Sequence, residues 1–251
     1  MLALMNKKFT IQTNKNSNQV EIDQNIFNNV ADKYDLMNDL MSFYLHRYWK
    51  RKAINHANIN KHTRALDLAT GTGDLAKLVT KKIINQGGNS NQVTVTDINP
   101  QMLELGGKKL KKAGFNVNHL ITNAEAIPFR DNSFDLVTIG FGIRNVVNKK
   151  KALAEIYRVL NKEGQLIILE FSQINKLLAP FYHLYSFYWI PFLAKLVVGD
   201  CQSYRYLVES IRTHPNQEQL KNMMENCGLQ DVKYINLAFG GVAIHFGTKI
   251  S

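Results

Sequence analysis

The sequence predicts an α/β fold: a mostly parallel, Rossmann-like sheet with helices on both faces and one antiparallel strand. Three observations carry that expectation. The first is a strand–turn–helix–strand unit. Ala65-Leu-Asp-Leu-Ala-Thr-Gly-Thr-Gly-Asp74 passes from an apolar run into a glycine-rich turn and then a helical pattern, and the next apolar run ends in the acid Asp97. That is the form of a βαβ nucleotide-binding unit. The second is the alternation of apolar runs with helical patterns as far as residue 171, the habit of a parallel sheet covered on both faces. The third is the pair of short runs at 232–237 and 242–248. They are joined through Gly240-Gly241, a hairpin signal that brings an antiparallel strand to the end of the chain.

In chain order, residues 1–21 are rich in Asn, Lys and Gln and read as a disordered basic tail. They lack the apolar centre of a secretory signal, and without arginine they make a poor mitochondrial presequence. Residues 22–251 form one domain. It opens on an N-terminal helical extension, 22–60, with a helical pattern from residue 22 to about 57. Residues 63–68 are the first strand and 75–84 the helix after it. The Gly/Asn content of 86–91 marks a surface turn. Strand two is 93–96. Pro100 suits the first helical position, and Met102, Leu103 and Leu110 keep helical spacing until Gly114 ends it. Strand three is 117–122 and strand four 134–141. A helix at 149–160 leads to the most apolar strand, 165–171. An insert, 175–212, breaks the alternation. A helix at 216–226, closed by Gly228, precedes the hairpin.

Composition narrows the partners. Hydrophobic residues make up 45 %, which fits a soluble globular chain, and no apolar stretch reaches the length of a membrane-spanning helix. The net charge of +11 admits nucleic acid or an anionic membrane surface, and equally a solvated face of a lysine- and asparagine-biased protein. Cys201 and Cys227 form no CxxC and have no His at metal-ligand spacing. Free thiols in a reducing, cytoplasmic compartment and no metal site are expected.

The motifs specify a ligand. Asp97, at the carboxyl end of strand two with Ile98 beside it, can bind the two ribose hydroxyls of an adenosine. The third glycine of the dinucleotide fingerprint is missing, since Ala76 stands there, and Asp74 within the turn repels a pyrophosphate. An adenosine with no phosphates and a cationic end fits better: S-adenosylmethionine. Gly71, Thr72 and Gly73 are expected to bring the backbone against it. Asp67, a costly acid in an apolar strand, faces its ammonium end or holds the loop. After strand three, Asn123 can bond the adenine edge and the backbone of Ala124 offers a second contact. After strand four, Gly140 is assigned through its backbone. The turn Ile139-Gly-Phe-Gly-Ile-Arg-Asn145 lacks the Asn/Asp-Pro-Pro-aromatic sequence of amino-methylating enzymes, and the chain has no Pro-Cys nucleophile for pyrimidine methylation. It carries Arg144 instead, suited to stabilising a phenolate or enolate, or to a surface salt bridge.

Tyr34-Asp-Leu-Met-Asn, followed by Ser42, His46 and Trp49, resembles the signature of the UbiE/COQ5 methyltransferase family at every fixed spacing. The resemblance runs from about residue 26 to 249. It takes in Asp97-Ile-Asn-Pro-Gln-Met, Asn123-Ala-Glu-Ala-Ile-Pro-Phe, Phe141-Gly-Ile-Arg-Asn, Ser203-Tyr-Arg-Tyr-Leu-Val-Glu-Ser-Ile-Arg and the final Gly-Gly-Val-Ala-Ile-His. It implies a class I methyltransferase fold and C-methylation of a polyprenyl benzoquinol ring in ubiquinone synthesis, with demethylmenaquinol as a further substrate of many bacterial members. On that reading Arg144, with Tyr34 as partner, activates the quinol hydroxyl. Three stretches depart from the family: Asn161-Lys162-Glu163 replaces Lys-Pro-Gly, Thr70 replaces a glycine, and Gly140 replaces a serine that often contacts the cofactor.

The stretch 181–198 is apolar and aromatic, yet Pro191, His183 and Lys195 make it a poor membrane span. It is expected to cover the pocket, receive the isoprenoid tail and dock peripherally on the inner face of the membrane. Core packing or a homodimer contact competes with that role. An RNA methyltransferase, supported by charge alone, and a non-catalytic subunit of a quinone-biosynthesis complex are the alternatives. The intact Gly loop and Asp97 oppose the latter, and no nucleic-acid partner is expected.

Overall fold

Burial on both faces explains why the strands read as continuous apolar runs: every residue of β1 (Ala65–Leu68) and β2 (Val93–Asp97) is buried. A computed structural model describes residues 34–174 and 202–250. The other strands are β3 (Asn118–Ile121), β4 (Phe134–Gly140), β5 (Leu160–Phe171), β6 (Gln230–Leu237) and β7 (Val242–Thr248). They form one sheet in the order β3-β2-β1-β4-β5-β7-β6. β1 to β5 pair in parallel, and β7 runs antiparallel to both β5 and β6. The order reverses between β1 and β4, the point where open α/β sheets bind ligands.

The helices are α1 (Tyr34–Met41), α2 (Leu45–Asn55), α3 (Asp74–Asn85), α4 (Pro100–Lys112), α5 (Lys149–Val159), α6 (Gln202–Thr213) and α7 (Gln217–Asn226). Successive strand side chains point to opposite faces. Ala65 accordingly packs with Trp49 of α2, Val79 of α3 and Leu110 of α4, whereas Leu66 and Leu68 pack with Ile156 of α5 and Met224 of α7. Asn99 caps α4, its side chain accepting from the amides of Gln101 and Met102, with Pro100 at the first position.

Four elements differ from expectation. The helical extension is broken: Phe43 and Tyr44 take left-handed φ angles of 48° and 63°, separating α1 from α2. β5 starts earlier than residue 165, because the Glu163 amide donates to Lys249 at 2.6 Å and the Lys249 amide to Gly164 at 2.9 Å. The terminal hairpin is not a two-glycine turn. A short 3-10 turn, Ala238–Gly240, joins its strands. The insert ends in helix, since α6 occupies residues 202–213. The basic tail, the insert stretch 175–201 and Cys201 lie outside the described residues. Cys227 is a free thiol.

Candidate active site

The carboxyl ends of β1, β2 and β4 open onto a cavity of about 620 Å³, a volume typical of small-molecule sites. Its wall gathers Asp67, Gly71, Thr72, Asp97, Ile98, Asn123, Ala124, Gly140 and Arg144 from four separate parts of the sequence. Gly73 does not line the wall. Its φ of 82° turns the chain into α3, so its part in the loop is conformational. Tyr34 opens α1, and its side chain lies outside the described residues.

Asp67 holds the loop. The Thr70 hydroxyl donates to its Oδ2 at 2.5 Å and the Thr138 hydroxyl to its Oδ1. Only 2 % of the residue is exposed. Burial pushes its carboxyl up to about 6, partly opposed by the two threonine bonds. Asp97 fixes the next residue: its Oδ2 accepts from the Gly71 amide and its Oδ1 from the Asn99 amide, each at 2.9 Å. Burial raises this carboxyl too, against the amide bonds that favour its charge. The acid at the start of α3, Asp74, accepts from Lys50 Nζ at 2.7 Å, so its charge is paired by α2 as well as favoured by the helix N-terminus.

Asn123 sits in an Asx turn, its Oδ1 accepting from the Glu125 amide at 2.9 Å. That commits the carbonyl and leaves the amide end for any ligand. At Gly140 a Cβ would come within 2.0 Å of Leu75 Cδ1, so Leu75 fills the space that a serine would need.

Arg144 is not in a surface salt bridge. It is buried, and its Nη1 donates to Glu170 Oε1 at 2.8 Å and to the Phe141 carbonyl. Its amide donates to Glu170 Oε2 at 3.1 Å. The sequence reading missed Glu170, although an acid inside the most apolar strand is the same signal that singled out Asp67.

The signature residues near the N-terminus hold the broken helix over the cavity. Ser42 Oγ donates to the Asn38 carbonyl at 2.5 Å and accepts from the His46 amide at 3.2 Å. His46 Nε2 lies 2.7 Å from Asp39 Oδ1, and Arg47 binds the same carboxylate. Trp49 packs in the core. Trp49 also reaches the cavity wall, beside Ser42 and His46.

Gly106 was also overlooked. A Cβ there would stand 2.5 Å from the Gly71 carbonyl, so α4 approaches the Gly loop only because residue 106 has no side chain. Gly106→Ala pushes against backbone, which cannot rotate away. Calorimetry is expected to show S-adenosylmethionine affinity reduced by about tenfold, and denaturation a stability loss of about 1–3 kcal/mol.

Residues 12–249 match the sequence profile described as the ubiE/COQ5 methyltransferase family. The chain is 47 % identical to the ubiquinone/menaquinone biosynthesis C-methyltransferase UbiE of Enterobacter sp. (strain 638), covering 96 % of each. It is 51 % identical to the protein of the same name from Serratia proteamaculans (strain 568), covering 89 % of each. In structure it is similar to an S-adenosylmethionine-dependent methyltransferase from Thermotoga maritima, with a TM-score of 0.61 at 21 % identity over 90 % of this chain and 99 % of that one. A second such methyltransferase, from Aquifex aeolicus, gives a TM-score of 0.59 at 17 % identity over 87 % of this chain and 98 % of that one. At those identities the likeness is one of fold.

Proposed function

This chain belongs to the ubiE/COQ5 methyltransferase family, and from that premise we propose how its residues serve methyl transfer to a polyprenyl quinol. It is an S-adenosylmethionine-dependent C-methyltransferase of quinone biosynthesis. The proposed acceptor is a 2-polyprenyl-6-methoxy-1,4-benzoquinol, with demethylmenaquinol as a further substrate. The observation that carries the assignment is that Asp97, the Gly loop and Arg144 line one cavity.

The residues fit the cofactor. Asp97 is held at the cavity by the Gly71 and Asn99 amides, where its carboxylate can accept from ribose hydroxyls. Gly106 lets α4 pack closely against the Gly loop. When bound, S-adenosylmethionine supplies a methyl already activated by its sulfonium. The chain's part is to align the ring carbon with that methyl, to keep water out and to stabilise negative charge on the quinol oxygen. Arg144 supplies the positive charge that does so. Its guanidinium is already protonated and cannot take the hydroxyl proton, so it acts by holding the oxyanion while that proton leaves to a water it polarises.

Asp67 gives a pH test. Its usual carboxyl value of 3.8 is raised to about 6. Between those values the folded protein keeps a proton that the unfolded chain has lost, so the raised carboxyl makes the free protein lose stability as pH rises through that window. A ligand ammonium beside Asp67 favours the ionised form. Affinity for S-adenosylmethionine is therefore expected to tighten by roughly tenfold between about pH 5 and pH 7. Asp67→Asn should flatten that profile in calorimetry, and an unchanged slope would place Asp67 in the loop alone.

Among the described residues no helix is long and apolar enough to cross a membrane. The stretch 181–198 lies outside them. Its proposed role over the isoprenoid tail, and peripheral docking through it on an anionic bilayer, draw support from its aromatic residues and the net charge of +11. Incubation with methyl-labelled S-adenosylmethionine and extracted lipid or RNA tests the reaction. Label is expected in the quinone fraction. Label in RNA would make it an RNA methyltransferase, and label in neither a non-catalytic subunit. Mass spectrometry of quinones from a strain lacking this chain separates benzoquinol from naphthoquinol.

A further inference from the structure

We infer that Glu170 is a positioning residue that holds the Arg144 guanidinium in one orientation at the cavity wall, an inference that rests on the role proposed above for Arg144. Glu170 lies next to the end of β5 and is 1 % exposed. Three donors meet its carboxylate. Arg144 Nη1 reaches Oε1 at 2.8 Å, the Phe171 amide reaches the same oxygen at 2.8 Å, and the Arg144 amide reaches Oε2 at 3.1 Å. One acid therefore grips both the side chain and the backbone of the same arginine. The Phe141 carbonyl takes a further bond from Nη1. The Phe171 ring lies against the guanidinium, its centroid 5.2 Å from Cζ. An arginine tethered only at its Cα swings widely; one held at backbone, fork and face is already in place when the substrate arrives.

The energetics favour a functional reason for the pair. A buried ion pair seldom stabilises a fold more than apolar residues of the same volume would. This one sits where the cavity needs a fixed positive charge. Two basic side chains stand behind it. Lys149 Nζ is engaged by the carbonyls of Arg144 and Val146, at 3.0 and 2.9 Å. His214, 3 % exposed, is neutral at physiological pH, because burial pushes its imidazole down to about 4. It adds no second cation to compete for Glu170.

The test measures labelled-methyl transfer to a 6-methoxy-1,4-benzoquinol with one isoprene unit, and S-adenosylmethionine affinity by calorimetry on the same samples. Glu170→Asp keeps the charge but withdraws the carboxylate by one methylene. Its kcat is expected to fall roughly tenfold or more while Kd for S-adenosylmethionine stays within about twofold. Glu170→Gln added to Arg144→Met should cost no turnover beyond Arg144→Met alone, since Glu170 acts only through the arginine. That double variant leaves no unpaired buried charge, which preserves its fold. If Glu170→Asp turns over within about threefold of the parent and the double variant is inactive, the positioning role is overturned and Arg144 stands. If the double variant also turns over normally, the reading of Arg144 itself is overturned. Parallel loss of affinity and turnover in Glu170→Asp would make Glu170 a support of the fold and overturn the inference.

Discussion

Replacing Asp97 by alanine is expected to weaken S-adenosylmethionine binding about a hundredfold, the worth of two charge-assisted hydrogen bonds, together about 3 kcal/mol. The structure adds a second route to the loss. Asp97 also accepts from the Gly71 and Asn99 amides, so alanine frees the loop and the start of α4 as well as the ribose. Asp97→Asn separates the two. It keeps an oxygen for one amide and much of the loop geometry, yet loses the charge and one ribose acceptor. An intermediate loss in the asparagine variant is expected by calorimetry. Unchanged affinity in Asp97→Ala sinks the assignment.

Arg144→Ala is expected to lower turnover by about a hundredfold or more, the scale of removing a preorganised oxyanion donor. Affinity for S-adenosylmethionine should change far less. The fold pays as well, because Glu170 is left buried and unpaired, at a cost of about 3–5 kcal/mol. Turnover must therefore be read beside thermal denaturation. Arg144→Lys keeps the charge but not the planar fork, so it should recover stability better than it recovers rate. Turnover within a few-fold of the parent in a folded Arg144→Ala protein makes the arginine structural. Oxidised quinone should be a poor substrate in every case, having no hydroxyl to deprotonate.

The elements legible in the sequence are those set by local pattern. The apolar runs became β1, β2 and β4 because a strand buried on both faces needs no alternation. Asp97 could be placed at a strand end by counting from the Gly loop, and it lies there. The cofactor class followed from Asp74 in the turn and the missing third glycine. By contrast, the segment from residue 22 to 57 read as one helix. Nothing in Ser42-Phe-Tyr44 announces left-handed residues, which neither Phe nor Tyr favours; the bonds from Ser42, Asp39 and His46 impose the break.

What the chain by itself determined is the βαβ unit, the alternation of layers, the ligand's chemistry and several of the residues that line the cavity. Only the tertiary structure decided how that wall is held. Glu170 meets Arg144 because β4 and β5 pair with Gly140 beside Leu169, a register that brings the end of β5 beside the turn that follows β4. Lys50 meets Asp74 because α2 packs on α3, and Gly106 meets Gly71 because α4 crosses beneath the loop. Each contact joins segments at least 24 residues apart. No local periodicity encodes such a pairing, because it depends on strand register and helix packing that form only when the whole sheet does.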